Sequence, residues 1–429
     1  MAEMKDSGIE WVGKIPENWR VLKNKYNFEL SKEIIGTKWV ETQLLSLTKY
    51  GIKAINDGEQ TGKVPASLST YQKVNKDDLV MCLFDLDCSA VFSGISDFDG
   101  MVSPAYKCIK CKAHLFPKYI DYYFRTVFVD RKYKRYSKNV RFSISADEFM
   151  NLPIIVPPKD MQINIAKFLD KKCAEVDALH TDIEKQIETL EEYKKSIITE
   201  AVTKGLDPDV EMKDSGIEWI GMIPKNWSVT RMQEIGTYKK GPFGSAITKN
   251  MFVEKDDNTY KVYEQKNAIY KNVELGYYYI PFSIYKRLKE FAIIPQDIIV
   301  SCAGTIGECY IMPNNMEKGI INQALMRIRL KENINKNYFI YVFDIVLTYA
   351  NLKYSNGSAM KNIPPFSVLK KLGIPLPSVQ EQEKIANYLD DFCNEIDGVI
   401  VDKKKQLETL EQYKKSLIHE YVTGKKEVK

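Results

Sequence analysis

Histidine is scarce in this chain, with three residues among 429, namely His114, His180 and His419. They lie far apart in the sequence, which argues against a site built from clustered imidazoles. Eight cysteines are too few for a disulfide scaffold in so long a chain. The longest apolar runs, such as 298–300, fall far short of the roughly 20 residues of a membrane span. The first residues also lack the apolar stretch of a secretory signal, so we expect a cytoplasmic protein with reduced thiols and no membrane contact.

Catalytic motifs are also missing. The glycine-containing stretch 302–307 is not a phosphate loop, because no GxxxxGK[ST] or strand-GxGxxG-helix pattern occurs in the chain. Segment 362–366, Asn-Ile-Pro-Pro-Phe, misses the Asn-Pro-Pro-Phe of amino-methyltransferases by one inserted residue. Cys108 and Cys111 with His114 resemble half a zinc site without a second half. We therefore predict no catalytic residue, no metal and no enzyme activity in this chain.

The sequence contains an internal repeat. MKDSGIEW occurs at 4–11 and again at 212–219, and ETLEEYKKS at 188–196 returns as ETLEQYKKS at 408–416. The two offsets, 208 and 220 residues, indicate a tandem duplication into 1–208 and 209–429, with about twelve extra residues in the second copy between 229 and 297. The middles of the two copies barely resemble each other, as expected for similar scaffolds that bind different targets, although drift of an unconstrained surface would look the same.

Charge alternates along the chain. Segment 23–151 holds 20 Lys/Arg against 15 Asp/Glu and segment 230–371 holds 20 against 12, whereas the whole chain has a net charge of only +5. The two segments 152–211 and 372–429 are net acidic. Two separate basic surfaces are typical of a protein that binds a polyanion.

Two long amphipathic helices are predicted at 161–203 and 380–423, each ending at a glycine. Apolar residues recur close to the coiled-coil spacing at Val176, Leu179, Ile183, Ile187 and Leu190, and at Ile396, Val399, Leu407, Leu410 and Leu417. We expect the helices to pack on each other as an antiparallel coiled coil; the alternative is that each packs only on its own globular part. The middles mix short β-rich runs with helical stretches. The predicted fold class is therefore α+β, a tandem duplication of two α/β-type domains separated by two long helices.

The densest basic stretch is 131–141, which has six cations, no acid and two interleaved tyrosines. Cations neutralise phosphates, and Tyr, Ser and Asn side chains can hydrogen-bond to the nucleic-acid backbone or to base edges. The repeat places a second polar loop at 350–361, and 239–245 adds two lysines beside glycines that allow close backbone approach. The alternatives without a binding role are a solvated helix end and loop for 131–141 and a plain turn for 239–245. The predicted DNA-binding residues are Lys134, Arg135, Lys138, Asn139, Arg141, Lys239, Lys240, Lys353, Ser355, Asn356, Ser358 and Lys361.

Together these features resemble the specificity subunits of type I restriction–modification systems. The resemblance covers essentially the whole chain and is carried by SGIEWVGKIPENW at 7–19, LPIIVPP at 152–158, LGIPLPSVQEQEKIA at 372–386 and the two repeated helices. Segments 241–245 and 355–361 look like common elements of recognition domains, whereas 137–143 lacks the glycine of that pattern. The resemblance implies two target-recognition domains, each of which reads half of a bipartite duplex DNA site.

The resemblance also implies a domain plan and partners. The plan has a leading segment (1–21), recognition domain 1 (22–151), helical region 1 (152–208), a repeated leading segment (209–229), recognition domain 2 (230–371) and helical region 2 (372–429). The helices would bind two modification subunits, and restriction/translocase subunits would join through the complex. S-adenosylmethionine and ATP would then belong to the partner subunits, with no cofactor in this chain. The alternative function is a stand-alone nucleic-acid-binding scaffold, for RNA or non-specific DNA, without a methyltransferase partner.

Overall fold

A computed structural model describes residues 3–49, 51–56, 67–137, 142–354 and 364–428. The chain divides into two compact units. Unit 1 comprises residues 1–185 and 402–429, and unit 2 comprises residues 186–401. Each unit therefore combines most of one sequence copy with part of the long helix of the other copy.

The first copy alternates short strands with few helices. Its strands are β1 (Met4–Asp6), β2 (Lys14–Pro16), β3 (Arg20–Lys23), β4 (Phe28–Leu30), β5 (Leu45–Thr48), β6 (Gly51–Ala54), β7 (Gln72–Val74), β8 (Leu79–Met81), β9 (Ser93–Ile95), β10 (Gly100–Val102), β11 (Lys107–Cys111) and β12 (Pro153–Val156). Its helices are α1 (Asn24–Asn27), α2 (Pro117–Val129), α3 (Ala146–Asn151) and α4 (Lys159–Lys204).

The second copy repeats this order and adds elements. Its strands are β13 (Met212–Asp214), β14 (Met222–Pro224), β15 (Ser228–Arg231), β16 (Gly236–Lys240), β17 (Thr259–Tyr263), β18 (Tyr279–Pro281), β19 (Ala292–Ile293), β20 (Ile298–Ser301), β21 (Cys309–Ile311), β22 (Gly319–Ile321), β23 (Leu325–Leu330) and β24 (Gly373–Leu376). Its helices are α5 (Met232–Ile235), α6 (Gln265–Ile269), α7 (Phe282–Arg287), α8 (Lys336–Tyr354), α9 (Phe366–Leu369) and α10 (Val379–Val422).

Sheet topology confirms the duplication. The order β4-β11-β8-β9 in unit 1 matches β16-β23-β20-β21 in unit 2, and both sheets are antiparallel. The leading hairpins keep one register, since Met4 faces Pro16 and Met212 faces Pro224. The strand after each hairpin pairs with the strand before each long helix, β3 with β12 and β15 with β24. The copies differ in the middle, where unit 2 has the mixed sheet β18-β17-β22-β19.

Buried glutamines fix the start of each long helix. Gln162 accepts a hydrogen bond from the Phe116 backbone N–H at 2.8 Å and donates to the Pro157 carbonyl at 2.8 Å. Gln382 repeats this arrangement with the Asn335 N–H and the Pro377 carbonyl. Both amides are buried, so these hydrogen bonds satisfy polar groups that water cannot reach. The predicted helices 161–203 and 380–423 are confirmed to within two residues at each end by the bounds of α4 and α10.

Each unit packs the start of one long helix beside the end of the other. In unit 1 Lys414 Nζ donates to both carboxylate oxygens of Asp177 at 2.6 and 2.7 Å, and the Phe168 and Tyr421 rings lie 4.4 Å apart. The contact nearer the start of α4 is also the one nearer the end of α10, so the two helices pair in antiparallel orientation. In unit 2, Lys194 donates to Asp397 at 2.7 Å, the same two repeat positions with the helices exchanged.

The core of unit 1 is completed by both long helices. Trp19, 1% exposed, lies in a cluster that includes Ile165 and Leu169 of α4 together with Leu417 and Val422 of α10. Burying each such aliphatic side chain contributes about 1.5–3 kcal/mol. The cluster around Trp227 in unit 2 likewise takes side chains from the start of α10 and from the end of α4.

The predicted coiled-coil seam is wrong at one repeat position. Leu179 and Val399 are 52% and 39% exposed, although their spacing predicts burial. Val176, the preceding position of the predicted seam, is buried, and so is Cys173 one turn earlier. Among the described residues, no helix is long and apolar enough to cross a membrane.

Candidate nucleic-acid interface

The basic segment of unit 1 forms a 3-10 turn, Lys132–Tyr136, directly after α2. Arg131 enters this turn in the left-handed region at φ 52°, stacks on the Phe128 ring at 4.4 Å and donates to the Ser89 carbonyl at 2.7 Å. Lys132 donates to the Thr126 carbonyl at 2.8 Å. These first two cations of the segment therefore hold the turn in place.

Lys134 and Arg135, both predicted DNA ligands, lie on the exposed side of the same turn. The Lys134 ammonium sits 4.2 Å from the centre of the Phe142 ring. Arg135 Nη1 forms an ion pair with Glu10 Oε2 at 2.5 Å, with 42% of the Arg135 side chain exposed. Both cations keep exposed surface, so a phosphate could reach them without unfolding the turn.

Tyr133, one of the two tyrosines of the segment, does not serve the role proposed from the sequence. Tyr133 is 2% exposed and belongs to the core of unit 1, where its ring meets Phe92, Phe124 and Tyr136 edge-on. It cannot hydrogen-bond to DNA, because its hydroxyl is buried. The three further predicted ligands Lys138, Asn139 and Arg141 lie outside the described residues.

Unit 2 places Lys353 in the last turn of α8. Its Nζ donates to Glu218 Oε2 at 2.8 Å and to the Tyr349 hydroxyl oxygen at 2.7 Å. The hydrogen bond to Glu218 raises the pKa of Lys353, and the bond to Tyr349 raises it further. The pKa of Glu218 falls for the same reason. The predicted ligands that follow, Ser355, Asn356, Ser358 and Lys361, lie outside the described residues.

Lys239 and Lys240 end strand β16. Lys239 pairs with Glu290 at 2.5 Å and lies 4.9 Å from the centre of the Phe291 ring, so an acid already neutralises its charge. Lys240 is exposed and has no ion pair within the described part of the chain. DNA contact by either lysine stays a prediction.

Sequence reasoning missed the acidic partners of this surface. Glu10 and Glu218 occupy the same position of the repeated MKDSGIEW segment, and each holds a predicted DNA-binding cation of its own unit. The tryptophan that follows each glutamate also packs on a tyrosine ring of its own unit. The ring centres of Trp11 and Tyr123 lie 5.6 Å apart, and those of Trp219 and Tyr349 lie 6.2 Å apart. The identical repeat was the signal, but only the fold reveals which cations these acids meet.

The cysteines of the half-zinc pattern separate in the fold. Cys108 and Cys111 lie three residues apart on β11, so their side chains point to opposite faces of the strand and pack into different clusters. The His114 ring hydrogen-bonds with Asn27 Oδ1 at 2.9 Å. Within the described ranges, no group of three or more His, Cys, Asp or Glu side chains could hold a metal ion.

Comparison with known proteins gives two matches within this chain to one family model. The model for the type I restriction modification DNA specificity domain matches residues 17–189 and again residues 224–409. The chain is 25% identical, over 97% of its length and 96% of the relative, to the protein described as the MjaX type I restriction enzyme specificity subunit of Methanocaldococcus jannaschii.

Solved structures agree in fold. A chain from a structural study of complex assembly and conformational transition in a type I R-M system superposes with a TM-score of 0.70 at 14% identity, covering 95% of this chain and 98% of that chain. The HsdS subunit from Thermoanaerobacter tengcongensis gives a TM-score of 0.53 at 14% identity, covering 96% and 98%. Both matches extend over both sequence copies, so the whole duplicated fold is shared.

Proposed function

Because the chain belongs to the type I restriction–modification DNA specificity family, we propose that unit 1 and unit 2 each read one half of a bipartite duplex DNA target. The chain is a DNA-binding specificity subunit, and its recognition function is present twice. Two different half-sites are expected because the middles of the copies differ in sequence and in sheet content.

One observation carries this proposal: both units present cations at the same place in the fold. Arg135 follows α2 and Lys353 ends α8, and each meets the glutamate of its own leading segment. Cations supply the sequence-independent part of DNA affinity, and neighbouring side chains can then read base edges. A shared scaffold with different loops is what two half-sites of different sequence require.

The family assignment also directs the search for partners. As a specificity subunit the chain acts within a restriction–modification complex, and we propose that α4 and α10 bind two modification subunits, with restriction/translocase subunits joining the complex. Methyl transfer and ATP-driven steps would take place on those partners, which would bind S-adenosylmethionine and ATP. We propose that this chain itself supplies no catalytic residue and meets its partners and DNA in the cytoplasm.

A domain exchange tests the proposal. Residues 22–150 would be replaced by the corresponding residues of a relative, and the chimaera would be expressed with the methyltransferase subunits in a host without other methylation. Sequencing that detects methylated bases would then report the target. We expect one half of the methylated motif to change and the other half to remain.

The reciprocal exchange of residues 230–371 is the matched control and should change the other half only. A change in both halves after either exchange would contradict the modular reading. Binding of single-stranded RNA in preference to duplex DNA, without copurifying methyltransferase, would support the scaffold alternative instead.

A further inference from the structure

The loop after β16 holds Phe243 away from the body of unit 2. Its side chain is 89% exposed, the highest value among the large apolar side chains in the described part of the chain. Single exposed apolar residues are common on protein surfaces and need no function by themselves. A function is indicated only if the backbone of the loop prevents this ring from folding inward.

The backbone on both sides of Phe243 is fixed. The Gly241 N–H donates to the Leu325 carbonyl at 2.8 Å, and any side chain at residue 241 would overlap the Asn322 carbonyl oxygen. Pro242 is buried. After Phe243, the Ala246 N–H closes a turn onto the Phe243 carbonyl at 2.8 Å. The ring is thus presented by a loop whose backbone is hydrogen-bonded before and after Phe243.

The surroundings of this ring are basic. Lys240, three residues earlier, is exposed, and so is Lys249 in the 3-10 turn Lys249–Met251. The Arg287 guanidinium reaches the loop at the Ala246 carbonyl, at 3.5 Å. The nearby acid Glu290 is already paired with Lys239. Such a surface repels a basic partner and attracts a polyanion.

Unit 1 has an apolar residue at the corresponding place. Ile34 follows β4, the counterpart of β16, and is 61% exposed. It is held by a β-bridge to Gln72 and precedes the 3-10 turn Gly36–Glu41, as Phe243 precedes the 3-10 turn Gly244–Ala246. Both units therefore expose an apolar side chain just after the first strand of the main sheet.

We propose that Phe243 contacts bases of the half-site read by unit 2, and that Ile34 does the same for unit 1. Apolar side chains contribute to DNA recognition by packing against the thymine methyl group or by inserting between base steps. Because the backbone of the loop is already fixed by hydrogen bonds, little backbone entropy is lost when the ring makes such a contact. This inference rests on the proposed function, because it assigns specificity-determining residues to the same DNA-binding surfaces.

The test compares single variants of the full chain bound to its methyltransferase partners. Fluorescence anisotropy would measure affinity for the methylated-motif duplex, for duplexes altered in either half-site and for random DNA, over a range of salt concentrations. Phe243→Ala should lower discrimination at the unit 2 half-site about ten-fold or more, as expected when a base loses an aromatic contact. The salt dependence should stay as in the wild type, because no charge is removed.

Three variants serve as controls. Phe243→Leu should retain part of the discrimination, since it keeps an apolar contact. Ile34→Ala should affect only the other half-site. Tyr26→Ala removes an exposed aromatic ring from α1, 57% exposed, and should discriminate at the unit 2 half-site as the wild type does.

The inference would be overturned if Phe243→Ala discriminated between half-site sequences as well as the wild type does. It would also be overturned if the variant lost affinity equally for target and random DNA. Because residue 243 is exposed, thermal unfolding of the variant should match the wild type, and a large drop in stability would assign Phe243 to folding instead. A wild-type complex without half-site preference would overturn the proposed function itself, whereas an intact preference that Phe243→Ala leaves unchanged would overturn this inference alone.

Discussion

Glu218 Oε2 lies 2.8 Å from Lys353 Nζ, although 135 residues separate them in the sequence. The pair has a counterpart in unit 1, where Glu10 meets Arg135. A carboxylate of the repeated leading segment thus occupies, in both units, a cation that we propose for DNA binding. If these cations bind DNA as we propose, the carboxylate competes with phosphate for each of them.

Replacing Glu218 by Gln should therefore strengthen non-specific binding. The change removes one negative charge from a surface proposed to meet phosphates and releases Lys353 for a phosphate contact. Affinity for random duplex DNA should rise, and the slope of log affinity against log salt should steepen by about 1. Anisotropy titrations at several salt concentrations measure both quantities, and Glu218→Gln with Lys353→Met should cancel the steepening. An unchanged slope in Glu218→Gln would show that Lys353 does not reach DNA.

Removing three cations from the basic segment of unit 1 should weaken DNA binding and its salt dependence. The triple variant Arg135→Ala, Lys138→Ala and Arg141→Ala would lose up to three phosphate contacts, each worth about 1 in the salt slope. A matched control removes the three exposed lysines Lys167, Lys171 and Lys195 from α4. Equal affinity, slope and methylated motif in the wild type and the triple variant would place the interface elsewhere.

The ion pair between Asp177 and Lys414 should tolerate exchange of its partners. Asp177→Lys places two ammonium groups together and should lower the free energy of unfolding by roughly 0.3–1 kcal/mol, since the pair is partly exposed. Adding Lys414→Asp restores an attractive pair with its charges reversed. Urea unfolding of the wild type, both single variants and the double variant gives the coupling energy. If the change in unfolding free energy of the double variant equals the sum of the two single-variant changes, the pair contributes nothing to stability.

Acid should destabilise unit 1 partly through His419. Burial lowers the pKa of this imidazole below its ordinary value of 6.5, and the charges of Lys132 and Lys425 lower it further, against the opposite effect of Asp130 and Glu420. Between the lowered pKa and 6.5 the unfolded chain binds more protons than the folded chain, so stability falls as pH falls through that window.

The variant His419→Thr tests this effect, because Thr199 occupies the equivalent position of the other copy. Its unfolding free energy should fall less than that of the wild type between about pH 7 and about pH 5. His180→Thr, which replaces a partly exposed histidine of α4, is the comparison. Identical pH dependence in His419→Thr and the wild type would contradict the assignment.

The sequence predicted the duplication, the two long helices and the α+β class, because each depends on local pattern. An exact repeat needs no three-dimensional information, and the glycines that end the helices, Gly205 and Gly424, adopt the positive φ that their position requires. The seam failed at Leu179 and Val399 because spacing alone does not reveal which stripe of a helix faces its partner.

The candidate site was less predictable. A run of cations suggested a binding surface, but only the fold shows that Arg131 and Lys132 support the turn whereas Lys134 and Arg135 remain exposed. The pairing of Lys239 with Glu290 joins residues 51 positions apart, and no local pattern predicts it. Tyr133 was misjudged because a tyrosine among cations can equally serve as core, and here its ring fills the space beneath α2.

The position of the last core side chains of unit 1 has a consequence for synthesis of the protein. Leu417, Ile418 and Val422 belong to the same cluster as Trp19, so the ribosome must reach residue 422 before this domain, unit 1, can close its core. At about 5–20 residues per second that domain waits tens of seconds, whereas unit 2 is contiguous in the chain and can finish earlier. A chain released prematurely would therefore expose apolar surface at its amino-terminal end, where chaperones or proteases could recognise it before it joined a complex.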